Sequence, residues 1–216
     1  MKIASQKLLN SVLLYACLGA AVSACAPIML GGAVMGTLMA TDRRTSGAQV
    51  EDEGIELKAG SRIRESLGER GHVNVTSYNR QVLLTGEVPS APDKQQVEQI
   101  LSKVENVRSV VNEIDVMEIS TLSQRTSDIV LAGKIKAGMV DAQDLFANAF
   151  KVVTERGTVY LMGRVTQREA NRATDLARGI DGVKKVVRVV ELISEEELQR
   201  LQPKPATTEP KKSTPP

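Results

Sequence analysis

The chain lacks tryptophan and has few aromatic residues of any kind. Aromatics make up 2% of its 216 residues, so stacking platforms for bases or sugars are nearly absent and any core must be aliphatic. The net charge of +2 is too close to neutral to indicate a nucleic-acid-binding protein. Hydrophobic residues still form 42% of the chain, which is enough for one or two small domains.

Cysteine and histidine are also scarce. Cys17 lies in an N-terminal apolar run and Cys25 just after it, so no disulfide framework is predicted for a processed chain. The only histidine, His72, precedes a predicted strand and is interpreted as a solvated turn residue. With so few ligands of these types, no metal site and no cofactor are predicted.

Residues for catalysis are missing as well. The acidic runs at 51–53 and 195–197 are typical of solvated faces or helix starts. No glycine-rich phosphate loop follows a predicted strand, since Gly31, Gly32 and Gly36 lie in an apolar tether. The sequence therefore predicts that the chain is not an enzyme and has no small-molecule substrate, and it disfavours a hydrolase.

The N-terminus carries an export signal. Lys2 and Lys7 precede an apolar run over residues 8–21, and small residues lead to Cys25. A cysteine directly after the small pair indicates lipoprotein processing, in which its thiol is acylated and Cys25 becomes the new N-terminus. The alternatives are an ordinary signal peptide, or an uncleaved anchor in which Cys25 is incidental.

A second apolar stretch at 28–40 is rich in glycine and has about a dozen residues, whereas a spanning helix needs about 20. It is predicted to be a tether, because residues 23–27 interrupt any longer anchor over 8–40. The chain from Asp42 to about Glu53 is polar and is predicted to be a linker. Residues 203–216 are rich in proline, lysine and threonine and are predicted to be a disordered tail.

The body of the chain is duplicated. Residues 81–88 (QVLLTGEV) correspond to 158–165 (TVYLMGRV) at an offset of 77, and 73–76 correspond to 150–153 at the same offset. Residues 107–114 correspond to 183–190, one residue closer. Two copies at this spacing indicate two similar domains of about 70 residues, because solenoid arrays need more and shorter repeats.

Each copy predicts a helix, a hairpin, a second helix and a last strand. Ile55, Leu57, Ile63 and Leu67 give the first helix an apolar face, and the matching helix of the second copy covers about 127–144. Tight turns are predicted at 78–81 and 155–158, second helices at 93–104 and 167–179, last strands at 107–116 and 183–193, and a short helix at 195–202.

Gly86 and Gly163 fall inside the second strand of each copy, which indicates a close approach of backbone, and we expect the neighbour to be the helix packed across the sheet. The fold class is therefore α+β, with two αββαβ sandwiches of two helices on a three-stranded sheet.

The hairpin, the Leu-x-Gly-x-Val motif and the closing Gly182-Val183 pattern resemble the BON domain, named for bacterial osmotic-stress and nodulation proteins. With the candidate lipid anchor, the tether and the stretch 40–50 (ATDRRTSGAQV), the chain resembles outer-membrane lipoproteins that carry two BON domains. The resulting bounds are a signal peptide at 1–24, a lipidated tether at 25–46, a first BON domain at 47–117, a linker at 118–124, a second BON domain at 125–194, and a short helix with a tail at 195–216.

The resemblance implies a lipid-anchored protein on the periplasmic face of the outer membrane. Such proteins bind anionic phospholipids through the first helix of the second BON domain, gather at the division site and support membrane integrity. Outer-membrane assembly or division proteins are the implied protein partners. The alternative is a tethered protein-interaction module for the envelope assembly or division machinery, with no lipid role beyond the anchor.

The implied lipid-binding helix offers an apolar strip with two cations. Its candidate residues are Ile129, Val130, Leu131, Lys134, Ile135, Lys136 and Met139. The family's helix can carry a tryptophan near the place of Val130, and this chain has none. The competing interpretation is that these apolar residues form the domain core. After the helix, Leu145 and Phe146 either extend it or form a contact loop, and Phe146 is predicted to be core.

Overall fold

The computed structural model describes residues 42–201. Cys25, the signal peptide, most of the tether and the C-terminal tail lie outside the described residues, so what the sequence indicates for them stays a prediction. The described elements are α1 (Ser46–Leu67), β1 (His72–Tyr78), β2 (Gln81–Val88), α2 (Ala91–Leu101), β3 (Ser109–Asn112), β4 (Asp115–Val116), α3 (Leu122–Asp141), β5 (Phe150–Glu155), β6 (Thr158–Val165), α4 (Gln167–Arg178), β7 (Lys185–Leu192) and α5 (Glu195–Leu201).

Each copy forms its own sheet, with the hairpin's second strand in the centre. In the first copy β1 and β2 pair antiparallel, with His72 opposite Glu87, and β3 and β4 both run parallel to β2. In the second copy β5 and β6 pair antiparallel and β7 runs parallel to β6. Both copies therefore have the predicted αββαβ order, and the α+β prediction is confirmed.

Both hairpin turns have the predicted positions and the same geometry. The central residues Asn79 and Arg80 have φ of 50° and 64°, and Arg156 and Gly157 have φ of 49° and 79°. Two successive positive φ values define the type I′ turn, whose twist matches that of paired strands. The left-handed geometry is tolerated at the three non-glycine positions because a buried carboxylate stabilises each turn.

That carboxylate comes from the first helix of each domain. Asp52 accepts hydrogen bonds from the backbone N–H groups of Asn79 and Arg80 at 2.8 and 2.7 Å. Asp128 accepts from the N–H groups of Arg156 and Gly157, both at 2.8 Å. Burial alone would raise the pKa of Asp52, but the hydroxyl of Ser77 and these backbone donors bring it below its usual value.

One face of each sheet is covered by its two helices. In α1 the buried residues Ile55, Ala59, Ile63 and Leu67 recur every four positions, the spacing of one helix face. Leu57 was predicted on this face, but it is 71% exposed. The second domain's core includes Leu131, Ile135, Met139, Leu145, Phe150, Val159, Leu161, Val165, Ala170, Ala173 and Ala177.

The first helix of each domain begins earlier than the apolar pattern predicts, whereas α4 begins at the predicted Gln167. α1 starts at Ser46, where the Thr45 hydroxyl accepts the N–H of Ala48, so the predicted linker to Glu53 is wrong. α3 starts at Leu122, where Thr121 and Gln124 form a capping box. Apart from the exposed Leu122, the first turns of both helices hold no large apolar residue, and their starts are set by caps rather than by apolar periodicity. The predicted helix after the second domain is confirmed as α5.

The two strand glycines approach a neighbouring strand rather than a helix. A Cβ on Gly86 would lie 1.9 Å from the carbonyl oxygen of His72, and one on Gly163 would lie 2.4 Å from that of Ala149. The predicted close approach is therefore confirmed, while the predicted neighbour is wrong. In each copy the contact is with the backbone where the first hairpin strand begins.

The other face of each sheet packs against the other sheet. Tyr78, Leu83, Tyr160, Met162 and Val189 form a buried cluster shared by both domains. The described body is thus layered as helices, sheet, sheet and helices. Among its residues, no helix is both long and apolar enough to cross a bilayer.

Charged groups surround this shared cluster. Lys151 of the second domain pairs with Glu56 at 2.6 Å, and Arg108 of the first pairs with Glu191 at 3.0 Å. Burial would raise the pKa of Glu191, but Asn79 and Arg108 donate to its carboxylate and bring it below its usual value. The two domains are therefore joined by an apolar centre with a charged rim.

Candidate functional site

The predicted lipid-binding helix, α3, has one buried face and one open face. Leu131, Ile135 and Met139 are all buried and pack in the second domain's core with α4 and the β5–β6 hairpin. They cannot contact a bilayer while the domain is folded. Their inclusion in the candidate lipid site is therefore corrected, and the competing core interpretation is right for these three.

Lys136 is also removed from the candidate surface. Its ammonium donates to the backbone carbonyls of Phe150 at 2.8 Å and Ala147 at 2.5 Å. Burial lowers the pKa of this lysine. Lys136 therefore ties α3 to the segment that precedes β5 and is not available to a phosphate in solution.

The remaining candidates lie on the open face. Ile129 is 72% exposed, Val130 is 52% exposed, and Lys134 is exposed beside them. Leu122 and Val140, spaced by seven and eleven residues from Ile129, extend the same face along the helix. We call Leu122, Ile129, Val130, Lys134 and Val140 the α3 strip.

A groove runs along one side of the α3 strip. It has a volume of about 590 Å³ and is lined by α3, the β5–β6 turn and the loop before β7. Val130 supplies an apolar wall, and the exposed Lys134 and Lys184 lie on opposite sides. No ion pair of either ammonium is found among residues 42–201, so both cations are available to an anion.

Two other charged residues line the groove but are already engaged. Arg156 donates from Nε to Glu87 at 2.5 Å and from Nη2 to the Glu118 carbonyl at 2.7 Å. Asp128 accepts from the backbone of the β5–β6 turn. The charged side chains of the groove that remain are Lys134, Lys184 and Asp181. Asp181 is exposed on the loop before β7, as Lys184 is.

Sequence reasoning missed Lys184 and Leu122. Lys184 reaches the groove from a loop more than forty residues after α3. The periodicity of α3 concerns only its own residues and therefore cannot predict that Lys184 lies beside them. The adjacent Lys184-Lys185 pair after the Gly182-Val183 motif is the signal that could have indicated it. Leu122 was missed because α3 was expected to start at 127.

The loop after α3 differs from its prediction in one residue. Leu145 is buried in the core, whereas Phe146 is 48% exposed, so its predicted core position is wrong. The guanidinium of Arg43 lies 5.9 Å from the centroid of the Phe146 ring, within cation–π range. The ring therefore lies near the N-terminal segment and is half exposed, not packed in the core.

His72 also differs from its prediction. It is the first residue of β1, its side chain is only 22% exposed, and its Nδ1 lies 3.5 Å from Oε2 of Glu87. Burial and the positive charge of Arg125 lower the pKa of His72. Together with Glu155, these side chains form a cluster of metal-ligating groups, which the scarcity of cysteine and histidine did not predict.

Comparison with known proteins identifies the repeated unit. Residues 51–118 and 127–193 each match the BON domain family. Outer membrane lipoprotein DolP of Haemophilus influenzae is 37% identical over 167 residues, which cover 76% of this chain and 86% of that protein. The 21 kDa hemolysin of Actinobacillus pleuropneumoniae is 30% identical over 154 residues, covering 70% of this chain and 79% of that one.

A further relative shares a shorter stretch. Osmotically-inducible protein Y of Escherichia coli is 29% identical over 117 residues, covering 53% of this chain and 58% of that protein. The matches to the BON family and to DolP span both copies of the αββαβ unit seen in the structure. The chain belongs to the family of dual BON-domain proteins that includes outer membrane lipoprotein DolP.

Proposed function

We propose that this chain is an outer-membrane lipoprotein that supports membrane integrity by docking the α3 strip on anionic phospholipid. Acylated Cys25 anchors it, and the two BON domains lie on the periplasmic face. The similarity to DolP, a protein named as an outer membrane lipoprotein, supports the anchor and the membrane. Membership of the BON family also supports a role without catalysis.

The observation that carries the docking proposal is an apolar strip that stays exposed on α3. Leu122, Ile129, Val130 and Val140 are each more than half exposed on one helix face. Exposed apolar residues gathered on one surface are typical of an interaction site. Helices that lie in a membrane interface combine such a strip with cations that meet lipid phosphates, as Lys134 and Lys184 can do here.

The expected hold of this surface is weak. Each basic residue near an anionic membrane contributes about 1 kcal/mol, and no tryptophan is present to add an interfacial anchor. The acyl chains on Cys25 would therefore supply most of the membrane affinity. The α3 strip would then set which face of the protein the membrane meets.

Flotation of residues 42–202 with lipid vesicles tests direct binding without the acyl chains. We expect the fragment to float with anionic vesicles at low salt and to stay in solution with zwitterionic vesicles. Because screening weakens exposed charge pairs, flotation should fall as salt rises. Lys134→Glu with Lys184→Glu should reduce bound protein at least about tenfold, because two attractions of about 1 kcal/mol become repulsions.

Matched controls come from the first domain. Lys58→Glu with Lys103→Glu makes the same charge change at exposed positions away from α3 and should leave flotation unchanged. Ile129→Ser with Val130→Ser should weaken flotation, while Val50→Ser with Leu57→Ser, at exposed positions of α1, should not. If wild-type protein fails to float at low salt, the lipid role is wrong and the alternative, a tethered protein-interaction module, gains support.

A further inference from the structure

We propose that His72, Glu87 and Glu155 bind one Zn²⁺ between the two BON domains. The three side chains converge from β1, β2 and β5, and one ligand atom from each lies within 4.8 Å of the others. His72 and Glu87 are cross-strand partners in the first domain. Glu155 ends β5 of the second domain, so a bound ion would join both domains.

An unpartnered polar atom points to a ligand at this place. Nδ1 of His72 is buried and has no hydrogen-bond partner among the described residues. Its distance of 3.5 Å from Oε2 of Glu87 is too long for a normal hydrogen bond. A buried polar atom without a partner is costly, and coordination to a metal would satisfy it.

The two carboxylates also favour a cation between them. Glu155 is 8% exposed and Glu87 is fully buried. A ligand oxygen of one lies within 4.8 Å of a ligand oxygen of the other. Two carboxylates this close repel each other when both are ionised, and a bound cation would offset that repulsion.

Hydrogen bonds orient both carboxylates. Asn74 donates from Nδ2 to Oε2 of Glu155 at 3.0 Å. The backbone N–H and hydroxyl of Ser120 donate to Oε2 of Glu87 at 3.2 and 3.1 Å, and Arg156 donates to its Oε1. Oε2 of Glu87 thus accepts two hydrogen bonds, whereas Oε1 of Glu87 and Oε2 of Glu155 each accept one and keep a second lone pair that can ligate a metal ion. Such supporting partners are typical of metal-binding side chains.

Solvent access and charge are both compatible with an ion. A cavity of about 370 Å³ is lined by His72, Asn74, Thr154 and Glu155, with Ile129 of the α3 strip on its wall. Arg125 and Asp128 also line it, and Arg156 donates to Glu87. The three carboxylates therefore outnumber the two guanidinium groups around the cluster, although the arginines will lower the affinity.

The donor set indicates the metal. One imidazole nitrogen and two carboxylate oxygens suit Zn²⁺, which takes nitrogen at about 2.0–2.1 Å and carboxylate oxygen at about 2.0–2.2 Å, with water completing the tetrahedron. Ca²⁺ and Mg²⁺ prefer sites made wholly of oxygen. With ligands on both domains, the expected role of the zinc is to hold the two sheets together.

Titration of the full-length chain with zinc tests the proposal. The protein is purified in detergent, freed of any histidine tag, treated with chelator and desalted. We expect calorimetry to show one Zn²⁺ per chain with a Kd at or below about 10 µM, and the thermal midpoint to rise with bound zinc. Because His72 is the sole histidine of the chain, its imidazole NMR signals should shift and saturate at one equivalent.

Matched variants separate this site from other binding. His72→Gln and Glu155→Gln should each weaken zinc binding at least tenfold, while the Asn74 hydrogen bond to position 155 can persist. Glu191→Gln removes the same charge from another interdomain carboxylate and should change the affinity less than twofold. Absence of binding and of an imidazole shift at about 100 µM zinc, or unchanged affinity in both site variants, would overturn the proposal.

Discussion

At the scale of single residues, Gly86 and Gly163 show how closely the hairpin strands approach at their open ends. Gly86 has φ of 110°, a region that other residues avoid, and a side chain there would collide with the His72 carbonyl. The two glycines occupy equivalent positions in the repeat. The same backbone contact is therefore built twice, once in each domain.

Gly86→Ala should destabilise the protein by at least about 3 kcal/mol, because neither strand backbone can move away without breaking the ladder. Chemical denaturation monitored by circular dichroism measures the change. Gly54→Ala is the matched control, since a Cβ there meets no atom within 4 Å in the middle of α1. It should stabilise the protein by about 0.5–1 kcal/mol. Equal effects at the two positions would contradict the close approach.

Residue by residue, the sequence predicted part of the exposed face of one helix. Ile129, Val130 and Lys134 were predicted as surface residues of α3, and all three are exposed, while their role in lipid binding stays a prediction. The core positions Leu131, Ile135 and Met139 were included with them because the sequence does not say which side of an apolar helix meets its own sheet. Glu87 and Glu155 were missed since they are 68 residues apart and meet only through domain packing.

At the scale of elements, the segment before α1 connects the two domains. Arg43 pairs with Glu169 of α4 at 2.6 Å and donates to the Arg164 carbonyl at 3.0 Å. Arg44 pairs with Asp52 of α1 at 2.8 Å and lies 4.3 Å from the Tyr78 ring centroid. Arg43 holds the second domain and Arg44 the first, so the segment before α1 is fixed to both.

Arg43→Met should cost about 3–5 kcal/mol at pH 7, because Arg43 is 7% exposed and its loss leaves the fully buried Glu169 without a counter-ion. The second change Glu169→Gln should recover part of this loss by removing the stranded charge. Urea unfolding of the single and double variants measures both effects. A cost below about 1 kcal/mol would mean that the pair behaves as an exposed one.

The same pair predicts a pH dependence. Burial would raise the pKa of Glu169, but hydrogen bonds from Arg43 and Thr166 lower it below the ordinary 4.5. The stabilisation of the folded state by ionised Glu169 is therefore fully present above pH 4.5. It is lost as the pH falls through the pKa that Glu169 has in the folded protein. Without Arg43 the pKa should rise instead, so the cost of Arg43→Met should shrink between pH 7 and pH 4. A cost that grows in acid would contradict this assignment.

Most elements could be predicted, whereas the starts of α1 and α3 could not. Hairpins and last strands follow from the alternation and the turn residues, as at Asn79-Arg80 and Arg156-Gly157. The first turns of α1 and α3 depend on Thr45 and Thr121 as caps, and apart from Leu122 they hold no large apolar residue that would predict a helix. The N-terminal segment was interpreted as a linker because its arginine contacts are made to residues far along the chain.

At the scale of the whole molecule, the two sheets bury their second faces against each other. Leu83 and Met162 are both fully buried in the shared cluster. Consecutive apolar residues such as Leu83-Leu84 and Tyr160-Leu161-Met162 indicate strands that are buried on both faces. The sequence therefore indicates that both faces of these strands are buried. It does not indicate that the second face is covered by the sheet of the other domain.

The shared cluster should make the two domains unfold together. We expect wild-type residues 42–202 to show a single calorimetric transition at pH 7. Met162→Asp places a charge between the sheets and should split it into two transitions, or lower its midpoint by at least about 10 °C. Ile129→Asp makes the same kind of change at an exposed position and should leave the transition single. Two transitions in the wild type would contradict joint packing.

The central claim, that the second domain meets the membrane through α3, is tested most directly by a fluorescent label. Residues 42–202 contain no cysteine, so Ile129→Cys and Leu57→Cys each provide one site for an environment-sensitive dye. On adding anionic vesicles at low salt, the account predicts a blue shift for the label at position 129 and none at position 57. Equal shifts at both positions, or none at 129, would contradict it.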